Sequence, residues 1–141
     1  MTGQARVLVV DDNSTNLAVV GELLERQGFD VFAANSGEMA LQIAGQAQPE
    51  ILLLDVMMPG GMDGYETCSK LRALEGFANI PVLFLSADST PQSKIRGFQV
   101  GGMDYVSKPF QADELLARLR THLELYRLRH HLEDEVERKT R

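Results

Sequence analysis

One cysteine in 141 residues leaves nothing to pair within the chain, so Cys68 makes no case for an oxidising compartment and reads as a small apolar filler on a helix. Long apolar runs are also missing. None reaches the roughly 20 residues that a membrane span needs, and Met1 to Arg6 pass straight into a strand-like run without the apolar core of a signal peptide. The expectation is a cytoplasmic protein with no membrane partner. Surplus positive charge is absent too: 14 Lys and Arg stand against 20 Asp and Glu, a formal net charge of −6. That balance argues against direct nucleic-acid binding, which draws on Lys and Arg for its phosphate contacts. There is no internal repeat and no low-complexity segment. What is present is ordinary for a globular protein, 44% hydrophobic and 24% charged, and the length suffices for one buried core but not two.

Four short apolar runs stand out as buried strands: Val7 to Val10, Ile51 to Leu54, Val82 to Leu85 and the weaker Asp104 to Ser107. A fifth, Val31 to Ala34, is less apolar. Continuous runs of this length suit parallel strands covered on both faces. Helix signals lie between them. Asn13 or Ser14 can cap a helix carrying Leu17, Val20, Leu23 and Leu24, with Gly28 placed to end it. Ser36 can cap the next, through Met39, Ala40, Ile43 and Ala47, before Pro49 stops it. A third follows Gly64 with Tyr65, Cys68, Leu71 and Leu74. A fourth follows Thr90, with Pro91 at its first position and Ile95 and Phe98 as its apolar residues. The fifth starts near Ala112. Alternating strands and helices predict an α/β fold with a doubly wound parallel sheet and right-handed crossovers.

The fifth helix is predicted to be long. Leu115, Leu116, Leu119, Leu123 and Tyr126 form one apolar stripe, whereas Leu125, Leu128, Leu132 and Val136 form a second, roughly 140° away around the helix. The second stripe cannot reach the same sheet. Its spacing is that of a coiled-coil seam about two heptads long. Residues 118–141 carry a formal charge of +2 while the rest of the chain carries −8, which again marks this end as a different kind of segment.

The polar residues are most informative where they meet the strands. Asp11 and Asp12 follow the first strand, Asp55 the third, Ser86 the fourth and Lys108 the fifth. In an open parallel sheet all strand C-termini share one edge, where such folds place ligands. Any one of these residues is as well explained as a turn residue or helix cap, but five of them at four strand ends are not. Three carboxylates on strands about 4.8 Å apart repel one another, and Lys108 neutralises only one charge. A divalent cation suits the remainder. All-oxygen ligands in an open, hydrated site favour Mg²⁺, with Mn²⁺ the alternative. The same group can carry phosphoryl transfer, with a carboxylate as nucleophile and the metal, Lys108 and the Ser86 hydroxyl on the phosphoryl oxygens.

Val10-Asp11-Asp12, Leu52 to Pro59, Asp63-Gly64-Tyr65-Glu66, Leu85-Ser86-Ala87 and Tyr105 to Phe110, in this order and spacing, resemble the signature set of bacterial two-component response-regulator receiver domains. The resemblance covers residues 6–124, leaving residues 1–5 as a tail and 125–141 as a helical extension toward a missing output domain. It implies a flavodoxin-like sheet in the order 2-1-3-4-5 with five helices, the last extended. It further implies that Asp55 is the phosphoacceptor, Asp12 a direct metal ligand, Asp11 a ligand through water, and Met57 a ligand through its backbone carbonyl. Ser86 and Tyr105 match the switch pair, and Lys108, before a proline in a cis bond, matches the phosphoryl-contacting lysine. A histidine kinase or phosphotransfer protein would be the donor. The output is not legible, although the tail is similar in composition to linkers that join receivers to cyclic-nucleotide-turnover enzymes or histidine kinases. Its second stripe predicts a homodimer through the C-terminal helix.

One departure is visible: the usual Pro-Gly-Met-Asp-Gly loop reads Pro59-Gly60-Gly61-Met62-Asp63-Gly64, one glycine longer. A longer flexible loop costs little stability but alters how it lies over the acceptor and so bears on partner fit. Three rival readings fit less well. A Mg²⁺-dependent Asp-nucleophile phosphatase of the haloacid-dehalogenase type places an Asp-x-Asp after its first strand and adds a cap, whereas here the acids are adjacent and the candidate nucleophile lies on the third strand. A flavin-binding module needs a hydroxyl-rich phosphate loop where this chain has two acids. A degenerate receiver would lack members of the five-residue set, which is complete.

Overall fold

The computed structural model describes residues 4–88 and 90–139, with side chains described through Arg129. Five strands and five helices alternate: β1 (Arg6–Val10), α1 (Ser14–Arg26), β2 (Asp30–Ala34), α2 (Gly37–Ala47), β3 (Ile51–Asp55), α3 (Gly64–Arg72), β4 (Val82–Ser86), α4 (Pro91–Gln99), β5 (Asp104–Ser107) and α5 (Ala112–Lys139). The strands pair in parallel in the order β2-β1-β3-β4-β5, the flavodoxin-like arrangement expected.

The continuous apolar runs are divided by the pleat between two cores. Leu8, Leu52, Leu54, Val82 and Phe84 point to one face and pack with Ala40 and Ala44 of α2 and Tyr65, Cys68 and Leu71 of α3. Val7, Val9, Ile51, Leu53, Leu83 and Leu85 point to the other and pack with Val20 and Leu24 of α1 and Leu115, Leu116, Leu119 and Leu123 of α5. The central strands β3 and β4 are buried at every position, which is why they carry no polar alternation.

Helix starts follow the capping chemistry in the sequence. The side chains of Asn13, Ser36 and Thr90 accept from the amides of Asn16, Met39 and Ser93, respectively, and Asp63 caps α3 in the same way through Glu66. Three details differ from expectation. Helix α3 stops at Arg72, so Leu74 lies beyond it. Ile95 and Phe98 do not seat α4; both are more than half exposed, and Gly97 is its buried residue, because the helix approaches Phe84 so closely that a Cβ there would stand 3.1 Å from the ring. Tyr126 does not share a core with Leu115 to Leu123. It is half-buried against the opposite cluster, at the level where α5 has reached the N-terminal edge of the sheet and Arg127 meets Glu50.

At that edge Arg127 grips Glu50, just before β3, with bonds of 2.8 and 2.9 Å, and Glu50 also accepts from the Arg6 amide. Leu125 and Leu128, the first two members of the second stripe, are 58% and 55% exposed. The side chains of Leu132 and Val136 lie outside the described residues. Among the described residues no helix is long and apolar enough to cross a membrane.

Candidate functional site

Pairing of Val10 with Leu54 sets the ends of β1 and β3 level, so Asp11 and Asp55 emerge side by side from the middle of the sheet. Both are buried, at 4% and 5% exposure, while Asp12 is exposed. One carboxylate oxygen from each of Asp11, Asp12 and Asp55 lies within 4.8 Å of the others, so all three can face one ion. Ser86, fully buried, ends β4, and its carbonyl accepts from the Lys108 amide at 2.7 Å, which ties the chain after β5 to the same edge. The Lys108 ammonium then reaches back between two acids, 3.3 Å from Asp11 Oδ2 and 3.2 Å from Asp55 Oδ1. The Lys108-Pro109 peptide is cis. Thus the sequence-predicted residues Asp11, Asp12, Asp55, Ser86 and Lys108 do gather at one edge, and Met57 lies two residues beyond Asp55, its side chain 65% exposed.

The electrostatics follow from that geometry. Burial, reinforced by the negative charge of Asp11, pushes the Asp55 carboxyl up to about 6, against the pull of Lys108. Three acids and one ammonium leave the cluster about two charges negative when all are ionised. Asp11 keeps one oxygen occupied by the Asn13 amide at 2.9 Å and the other by Lys108. The donor set is therefore all oxygen, partly open through Asp12 and in need of positive charge, which fits a hard divalent cation holding several waters.

Other contacts around the site depend on the folded geometry. Gly64 opens α3 with its amide on the Val56 carbonyl at 2.9 Å, and a Cβ there would stand 2.3 Å from the Asp55 carbonyl oxygen; its trace in the sequence was the Asp63-Gly64 pair. Asp88 is bracketed: its amide donates to Ser86 Oγ at 3.1 Å, and its carbonyl accepts from the Tyr105 hydroxyl at 2.7 Å. Tyr105 itself is buried, its ring tilted against Phe84 with centroids 6.2 Å apart. In the lengthened loop, Gly60 takes a positive φ of 91°, and Gly61 lies against α2, where a Cβ would be 3.4 Å from the Glu38 carboxylate. Beside Asp11 and Lys108, a cavity of about 220 Å³ opens between α1 and the cis peptide, with Val19, Val20 and Phe110 among its walls.

The sequence profile of the response regulator receiver domain matches residues 7–120. The DNA-binding dual master transcriptional regulator RpaA of Synechocystis sp. is 43% identical over 115 residues, 82% of this chain and 47% of that protein. The transcriptional regulatory protein YvrH of Bacillus subtilis is 38% identical over 120 residues, 84% of this chain and 49% of that protein. The chain thus spans about half the length of these relatives. Among solved structures, the chemotaxis protein CheY4 of Vibrio cholerae superposes with a TM-score of 0.82 at 32% identity, over 85% of this chain and 99% of that one.

Proposed function

From the membership of this chain in the response regulator receiver domain family, we propose that it accepts a phosphoryl group on Asp55 in a Mg²⁺-dependent reaction and switches conformation to control an output. The observation that carries this reading is the buried pair Asp11 and Asp55 with the half-buried Lys108 ammonium between them and Asp12 open beside them. Asp12, Asp55, Asp11 through a water and the Met57 carbonyl would hold the ion. When bound, Mg²⁺ would supply the positive charge that lets Asp55 stay ionised next to Asp11 and that offsets charge building on the phosphoryl oxygens.

The chain's own groups account for the rest. An ionised Asp55 oxygen attacks phosphorus, a new P–O bond forms, and the bond to the donor breaks with its electron pair leaving on the donor. Lys108, already 3.2 Å from Asp55 Oδ1, is placed to follow the negative charge from carboxylate to phosphoryl oxygen. The Ser86 hydroxyl, now accepting from the Asp88 amide, would turn to donate to a phosphoryl oxygen, and Tyr105 would respond through Asp88. A histidine kinase or phosphotransfer protein is the donor class we infer, supported by the cavity beside Asp11 and the 59% exposed Val19 on α1. The output, the regulatory partners and a homodimer through the C-terminal helix belong to this reading too; exposed Leu125 and Leu128 support the dimer.

Treatment with acetyl phosphate and Mg²⁺ should add one phosphoryl mass to the intact protein and none to Asp55→Asn. Equal labelling of both proteins, or none of the wild type, rejects Asp55 as acceptor.

A further inference from the structure

Two tyrosines, not one, hold the segment that runs from the end of β4 into the first turn of α4. The Tyr105 hydroxyl donates to the Asp88 carbonyl at 2.7 Å, and the Tyr65 hydroxyl, coming from α3, donates to the Ser93 carbonyl at 3.0 Å. Each phenol has one proton, and each spends it on a carbonyl of this segment, which is why the two oxygens stand 3.4 Å apart without a short bond between them. Burial and the Tyr105 hydroxyl push Tyr65 up to about 12, so it remains a donor throughout the physiological range.

The segment they hold is built around Asp88. Its carboxylate accepts from the Thr90 amide at 3.0 Å and the Ser93 hydroxyl at 2.6 Å, while its amide donates to Ser86 Oγ. A displacement of Ser86 therefore removes one bond from a segment whose other ties run to Tyr105 and Tyr65. Tyr65 is connected to the acceptor by a second route as well: it follows Gly64, whose amide is bonded to the Val56 carbonyl directly after Asp55. Its ring is fixed by Phe84, 5.2 Å away, and by Arg96 of α4, whose guanidinium lies 4.6 Å above it and 3.9 Å from Asp63.

We propose that Tyr65 is a positioning residue of the switch, whose hydroxyl holds the start of α4 in the arrangement seen here, with Ser86 bonded to Asp88, and must release or follow the Ser93 carbonyl when Ser86 turns to a phosphoryl group. This rests on the reading of Asp55 as phosphoacceptor. Removing the bond lowers the cost of leaving the present arrangement, so the phosphorylated arrangement gains population and ligands that prefer it bind more tightly.

The test is Tyr65→Phe, which keeps the ring against Phe84 and beneath Arg96. Two measurements decide it: amide hydrogen exchange of residues 88–96 in metal-free protein, and titration with beryllofluoride in Mg²⁺ as a phosphoryl mimic. The expected result is faster exchange confined to that segment and an affinity about fivefold tighter than wild type, equivalent to about 1 kcal/mol at 1.4 kcal/mol per decade. Unchanged exchange together with an equal or weaker affinity overturns the assignment, as does exchange raised uniformly through the domain, which would mark Tyr65 as a packing residue only. If wild type fails to bind beryllofluoride at all, the phosphoacceptor reading fails, and the metal-free exchange comparison alone still decides whether Tyr65 holds α4.

Discussion

Replacing Asp55 with Asn should make the metal-free protein more stable at neutral pH, although it removes the residue at the heart of the site. Asp55 is raised from an ordinary 3.8 to about 6 by burial and by Asp11. The sign follows directly. A carboxyl that binds its proton more tightly in the folded chain contributes stability that is full below about pH 4 and is lost as pH rises through 6. Above pH 7 the folded wild type carries an ionised Asp55 it would rather have protonated, at a cost of about 2–3 kcal/mol, taking about 1.4 kcal/mol per unit. Asn, nearly the same size and uncharged, removes that cost and leaves Lys108 paired with Asp11. For a domain of this size the gain amounts to roughly 6–12 °C in Tm. Thermal melts of both proteins in EDTA at pH 8 and pH 4.5 read it, because the remaining titrating groups are common to both. The difference should be large at pH 8, small at pH 4.5, and reduced at pH 8 by Mg²⁺, which stabilises the wild type by binding the folded state. If Asp55→Asn is no more stable than wild type at pH 8 in EDTA, or if its advantage does not change with pH, the electrostatic account of the cluster is wrong.

Gly64→Ala should drive a methyl group into the Asp55 carbonyl, 2.3 Å from the Cβ position, costing about 2–4 kcal/mol in urea denaturation and weakening Mg²⁺ binding together with stability. Arg72→Met should cost about 2–4 kcal/mol by the same assay, because its guanidinium donates to the carbonyls of Gly101, Phe77 and Ile80, and these lose a charged partner together. Light scattering on the full chain and on one ending at Glu124 should show self-association only in the former; monomers in both cases at tens of micromolar, with and without beryllofluoride, would remove the dimer from the proposed function.

Much of this was legible in the sequence because it depends on local chemistry. Val7 to Val10 and Ile51 to Leu54 are apolar at every position since both faces of β1 and β3 are covered, and the acids and lysine that end the runs mark the edge where Asp11, Asp55 and Lys108 meet. Caps at Asn13, Ser36 and Thr90 were readable for the same reason. What escaped depends on contacts between distant segments. No periodicity announces that α4 seats itself through Gly97 and leaves Ile95 and Phe98 outside, because the deciding partner is the Phe84 ring on another element. Arg72 looks like an ordinary charge in the last turn of α3 until the Gly101 carbonyl, 29 residues on, is brought to it. Asp88 likewise looks like a loop acid until Ser86 and Tyr105 close on its backbone from two strands.

The grip of Arg127 on Glu50 fixes where the long helix leaves the domain. Asp55 ends β3 at one rim of the sheet, whereas Glu50 precedes the same strand at the other, so the helix departs on the side turned away from the carboxylates. A protein genetically fused to the end of α5 would therefore hang from the far rim and leave the approach to Asp55 unobstructed. Cargo of quite different bulk can be exchanged there without crowding the phosphodonor, and a rigid helical graft would inherit a defined heading from the ion pair instead of swinging freely.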